Sequence, residues 1–152
     1  MPARAQPAGV WREQVIDLSE YGEAVNAAVA EGSPCMVATA SAQGAPDLGF
    51  KGSVMVFDKE HLAWWERTRK GTLDNLRENP QVAVLYRNRE RNNLHLRFHG
   101  QATLHESDDV REQIMARTIE QELNSDPERK GIGVLVRVDR VVRPGREVLQ
   151  TR

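Results

Sequence analysis

The stretch "WWERTRKGTLDNLRENP", residues 64–80, gathers residue types that can hold an anion. Arg67, Arg69 and Lys70 come just before Thr72, which can cap a short helix. A helix start beside Arg and Lys suits a phosphate. The N–H groups point outward, Arg binds in bidentate fashion, and Lys adds a point charge. Trp64 and Trp65 precede the cluster on a strand. Strand alternation sends them to opposite faces, so at most one lines the site. The ligand this suggests has a flat ring and a phosphate tail. Taken alone, the stretch reads equally well as a solvated charge run beside two core tryptophans.

Other candidates are weaker. His95, Arg97 and His99 alternate along one strand and share a face, which reads as a solvated face or as one that meets a ligand. His95 and His99 have no evident third partner for a metal. His61 and His105 fall at a turn and a strand end. Cys35 is the sole cysteine, so no internal disulfide forms, and nothing near it in sequence would lower its pKa. No Ser-His-Asp set, carboxylate pair or metal motif stands out.

The elements that must position these residues follow from pattern. Ser19 is a candidate cap for a helix through "EYGEAVNAAVAEG", with Tyr21, Val25, Ala28 and Val29 on one face. "PCMVATAS" reads as a strand and "AQGAP" as a turn. "DLGFKGSVMVFD" is extended but interrupted by Gly49 and Gly52, which mark a bulge or a close approach to the backbone. "LAWWE" returns as a hairpin partner, "TLDNLREN" is a short helix with Leu73 and Leu76 inward, and "QVAVLYR" is the next strand. "LHLRFHGQATLH" alternates, with Leu94, Leu96 and Phe98 on one face. Ser107 opens an acidic helix to about Leu123, with Asp108 and Asp109 in its first turn, and "GIGVLVRVDRVVR" is a last strand. The expectation is a mainly β fold with flanking helices. It has six antiparallel strands in a split barrel with Greek-key topology, and two or three short helices. The expected layout is a flexible lead-in over 1–18, one domain over 19–142 and a C-terminal tail over 143–152.

The 152 residues carry a formal net charge of −1, which gives no reason to expect nucleic-acid or membrane partners. Arg87, Arg89, Arg91 and Arg97 make a basic band, but the acidic segment 106–122 offsets it and aromatics do not interleave with it. No apolar run approaches the roughly 20 residues of a membrane helix. The expected location is cytoplasmic, which fits a lone cysteine.

The order "GFKGSVMVFDKEHLAWWERTRKGTLDNLRENPQVAVLYR" resembles the FMN-binding split-barrel family related to pyridoxamine 5′-phosphate oxidase. The resemblance covers roughly residues 33–104. Its most telling piece is Thr72, Asn75, Leu76, Asn79 and Pro80 followed by "VAVLY". It implies a homodimer with FMN at the subunit interface. Lys51, Gly52 and Ser53 would lie along the ring, with glycine permitting close approach. Trp64, Trp65 and Glu66 would form the strand beside the ring and ribityl chain. Arg69, Lys70 and Thr72 would hold the phosphate, and Arg97 would reach the cofactor across the dimer. Lys51 is the candidate to stabilise reduced flavin electrostatically. The implied activity is two-electron transfer between FMN and an unidentified small molecule. The family's oxidases end in an "R-L-H-D-R"-like strand. This chain ends in "VVRPGREVLQTR", with Arg143 and Arg146 but no such histidine, so vitamin B6 oxidation is not the expected reaction. The alternatives are a deazaflavin-dependent reductase of the same fold and a flavin-binding protein without turnover.

Overall fold

The computed structural model describes residues 15–67, 70–145 and 147–152. Eight antiparallel strands form one sheet: β1 (Cys35–Ala40), β2 (Pro46–Lys51), β3 (Met55–Val56), β4 (His61–Glu66), β5 (Gln81–Asn88), β6 (Leu94–His105), β7 (Ile132–Arg143) and β8 (Glu147–Thr151). The order is β2-β1-β5-β6-β7-β4-β3, with β8 also paired to β7. The chain jumps from β1 to β5 and from β4 to β7, the long returns that a Greek key requires. The sheet curls around a core that includes Val37, Trp64, Val84, Phe98 and Val136, closed at one end by Leu18, Tyr21 and Val25. This is the split barrel with short flanking helices.

Two strands exceed the expected six. The extended segment after the first turn is broken at Gly52-Ser53 into β2 and β3, because β2 pairs with β1 while β3 pairs with β4. The tail supplies β8, which pairs with Arg140–Arg143 of β7. The first helix is also shorter than its apolar spacing suggests. A 3-10 turn over Leu18–Tyr21 leads into α1 (Gly22–Asn26). The cap is Asp17, not Ser19: its Oδ1 accepts from the Ser19 N–H at 3.0 Å. Ile16 and Leu18 already enter the core, so burial begins before the expected start at 19.

The acidic segment divides into α3 (Asp109–Arg117) and α4 (Glu120–Asn124). Asp108 is the cap of α3 and accepts from the Arg111 N–H at 3.0 Å. Thr118 takes an extended backbone and ends α3, and its hydroxyl donates to the Ile114 carbonyl at 2.7 Å. This break swings α4 across the end of β2, which matters below. The expected alternation of β6 is present: Leu96 and Phe98 are buried while Arg97 is exposed. At Gly100 the β6–β7 register shifts, and a Cβ there would overlap the Arg137 carbonyl.

The lead-in residues 1–14 lie outside the described residues. Among those described, no helix is long and apolar enough to cross a membrane.

Candidate functional site

The residues expected to form one site meet where β2 ends and β4 ends. Lys51 closes β2 and Glu66 closes β4; the Lys51 ammonium sits 2.9 Å from Glu66 Oε1 and 3.1 Å from Oε2. Glu66 is buried, and the Trp64 indole N–H also donates to its Oε1 at 3.4 Å. A buried carboxylate needs such partners. Ser53 is buried too. Its hydroxyl donates to the Trp65 carbonyl at 3.1 Å and accepts the Trp65 N–H at 3.0 Å, so it stands in for a missing strand partner.

The two tryptophans do point to opposite faces. Trp64 is fully buried inside the barrel core. Trp65 belongs to a second cluster with Met55, Ala63 and Ile114. Its indole N–H donates to Asp126 at 2.9 Å, and the Arg111 guanidinium lies 4.8 Å from its ring centroid. Burial raises the Asp126 carboxyl, but hydrogen bonds from the Gly131 and Lys130 N–H groups and from Trp65 outweigh it and hold the group below its usual range. Trp65 touches the small pocket beside Gly52; Trp64 does not.

Gly52 is a point of close approach, as its position in the sequence suggests. The approaching group is Glu122 of α4, whose carboxylate occupies the space a Cβ at Gly52 would take. Glu122 Oε2 is also 3.0 Å from Arg67 Nε. Arg67 is thus tied to an internal carboxylate. The pocket that Lys51, Gly52, Ser53, Glu66 and Arg67 line with Glu122 is about 90 Å³. Sequence reasoning missed Glu122, because an acidic residue on a polar helix carries no sign of what the helix folds onto.

The basic run continues in sequence with Lys70, which is exposed. Arg69 lies outside the described residues. Thr72 is not the cap of the next helix, α2 (Thr72–Glu78). Gly71 takes that position with φ of 62°, which favours glycine, and it offers no side chain to the N–H groups. Thr72 is the first helical residue and is buried. The motif asparagines have structural roles. The Asn75 side-chain amide donates to Thr39 Oγ1 at 3.0 Å, fixing α2 against β1. Asn79 accepts from the Gln81 N–H at 3.2 Å and so shapes the entry into β5.

Arg97 is not brought to this cluster within one chain. It pairs with Leu85 across β5–β6, and Leu85 pairs with Met36, which pairs with Phe50. Three strand spacings, roughly 14 Å, separate Arg97 from the β2 edge. His95 and His99 share its outer face, and both are shifted toward the neutral form. Burial acts first on each; Arg87 and Arg97 add to it at His95, Arg140 and Arg97 at His99. Among the described residues no group of His, Cys, Asp and Glu could hold a metal ion. Cys35 is buried, which pushes its thiol up to about 12. His61 pairs with Asp58 and His105 with Asp108.

Solved structures share this fold. HupZ from Group A Streptococcus matches at 24% identity with a TM-score of 0.65, over 86% of this chain and 92% of that one. A protein from Lactobacillus delbrueckii described as a candidate pyridoxamine 5′-phosphate oxidase matches at 23% identity, TM-score 0.66, over 85% and 96%. An FMN-binding protein from Syntrophomonas wolfei matches at 10% identity, TM-score 0.64, over 81% and 85%. No curated protein sequence gives a significant match. The model of the family described as pyridoxamine 5′-phosphate oxidase matches residues 21–142, most of the chain, and the protein belongs to that family.

Proposed function

We propose that the protein binds FMN as a homodimer and acts as an oxidoreductase on a small molecule. The observation that carries this reading is the meeting of Lys51, Gly52, Ser53, Glu66 and Arg67 around one pocket, in the fold of this family. The basic residues before α2 would take the phosphate. The seven-residue α2 is a weak anion holder by itself, so Arg and Lys must carry that binding. Lys51, Gly52 and Ser53 would border the ring, and the glycine leaves room for close approach once Glu122 withdraws.

A shared site is favoured on two grounds. The pocket of about 90 Å³ falls well below the roughly 300 Å³ at which small-molecule sites begin. Beside it, Leu48 and Phe50 stand 61% and 66% exposed on edge strand β2, an apolar face suited to a second copy. When bound, FMN would supply the two-electron chemistry. The chain would hold its phosphate, border its ring and exclude water. The Lys51 charge is largely offset by Glu66, so its effect on a reduced ring would be smaller than that of a free lysine.

Titration of FMN into the protein, read by flavin fluorescence and absorbance, tests the reading. Saturable binding at one FMN per chain in a dimer is expected. Failure to bind, or binding by a monomer, would remove it. Deazaflavin bound in preference to FMN would move the assignment to a deazaflavin reductase.

Glu122 gives a second test. Its carboxylate competes with any incoming anion for Arg67. Glu122→Gln is expected to tighten FMN binding by about threefold, the scale of a partly exposed ion pair. Unchanged or weaker binding would mean that the Arg67–Glu122 pair does not stand in the ligand's way.

A further inference from the structure

Three side chains that the proposed FMN site does not use meet where β6 gives way to α3. Thr103 and His105 stand two residues apart at the end of β6 and so share one side of it. The Thr103 hydroxyl lies 2.9 Å from His105 Nε2, and His105 Nδ1 lies 2.7 Å from Asp108 Oδ2. Asp108 is fixed from the other direction as the cap of α3, where its Oδ1 accepts the Arg111 N–H at 3.0 Å. Among the described residues His61 also has an aspartate partner, Asp58, but no hydroxyl meets its other ring nitrogen.

The three groups stand in the order that activates a nucleophile. The His105 ring N–H and the Arg111 backbone N–H hold the Asp108 carboxyl below its usual range, so it stays a carboxylate. A carboxylate at Nδ1 keeps the ring proton there and leaves the Nε2 lone pair to accept. Thr103 then donates its O–H to Nε2; the Leu135 carbonyl, the competing acceptor, is farther away at 3.5 Å. A hydroxyl within hydrogen-bond reach of a base, with that base oriented by a third group, is the arrangement that nucleophilic hydrolases use. Thr103 is exposed, so a substrate can reach it. Gln101 precedes it on the same side of β6, and Arg137 pairs with Gln101 across β7; both are exposed and carry N–H donors.

We propose that Thr103, His105 and Asp108 form a second, hydrolytic site that cleaves small activated carboxylic esters. Thr103 Oγ attacks the ester carbonyl as its proton passes to His105 Nε2. Gln101 or Arg137 meets the oxygen that becomes negative. The tetrahedral intermediate expels the alcohol, which takes the proton from His105, and the acyl group stays on Thr103 as an ester. Water, deprotonated by the same histidine, then releases the carboxylic acid and restores the hydroxyl. The site stands apart from the proposed FMN site. His105 pairs with Gly133 of β7, and α3 covers that strand, with Ile114 against Gly133 and Arg111 over Trp65. Arg97 is six residues back along β6, roughly 20 Å away.

The probe is p-nitrophenyl acetate on the purified full chain without flavin, read by release of p-nitrophenolate and by peptide mass spectrometry. p-Nitrophenolate leaves more readily than the threonine alkoxide, so the acyl form accumulates and an acetyl ester is expected on Thr103. Thr103→Val, His105→Gln and Asp108→Asn should each slow release by about tenfold or more while keeping the circular dichroism spectrum. Valine suits an exposed strand position. Asparagine still caps α3 but removes the charge that sets the histidine tautomer, so Asp108→Asn separates the catalytic role from the structural one. Release at the wild-type rate in Thr103→Val, full activity in Asp108→Asn, or acetyl groups confined to lysines would each overturn the assignment. No flavin enters the assay, so its outcome is separate from that of the FMN titration.

Discussion

Replacement of Arg69 and Lys70 together by alanine is expected to weaken FMN binding by roughly a hundredfold. Charge-assisted hydrogen bonds to a phosphate contribute about 1.5–3 kcal/mol each, and Lys70 is exposed, so the lower end of that range applies. Fluorescence titration at fixed ionic strength measures the change. Wild-type binding should also weaken as salt rises, and the variant's should respond less. Arg137→Ala, which removes an exposed arginine paired with Asp139 on β7, is the control and should leave affinity unchanged. A double variant that binds within about threefold of wild type would place the phosphate elsewhere, since such a change is no more than one exposed ion pair contributes, whereas two phosphate contacts have been removed.

Trp64→Ala should lower stability by about 3–5 kcal/mol. Trp64 is fully buried in the barrel core, and no neighbour can collapse into the space of an indole. For a domain of this size each kcal/mol moves the melting temperature by about 2–4 °C, so a fall of roughly 10 °C or more is expected. Trp64→Phe keeps most of the volume and should be much milder. It removes the indole N–H bond to Glu66 and leaves the Lys51 pair in place. Thermal unfolding followed by circular dichroism separates the cases. A small loss in Trp64→Ala would mean that the ring is not the core element its burial implies.

Much of the architecture was legible because period-2 patterns dictate faces. The alternation of Leu94, Leu96 and Phe98 against His95, Arg97 and His99 predicts which side of β6 is inward, and the structure agrees. Opposite faces for Trp64 and Trp65 follow from the same geometry, and each fills a separate hydrophobic cluster. Caps were less legible. Asp17 and Gly71 take positions expected for Ser19 and Thr72, because several neighbouring residues can each cap and the backbone path selects among them. The strand β8 was missed, since "EVLQ" is short and only its pairing with β7 makes it a strand.

The sequence by itself determined most of the strands, the inward faces and the basic run of Arg67, Arg69 and Lys70, because these depend on local periodicity and residue chemistry. It also marked Gly52, together with Gly49, as a bulge or a place of close approach. Only the tertiary structure decided what approaches: Glu122, 70 residues further on, reaches it because Thr118 breaks the acidic helix and swings α4 over β2. Only pairing across β6 and β7 set Arg140 beside His99. Both are contacts between residues far apart in the chain, formed when the sheet curls to bury its core. No pattern along the chain encodes which distant side chain arrives there.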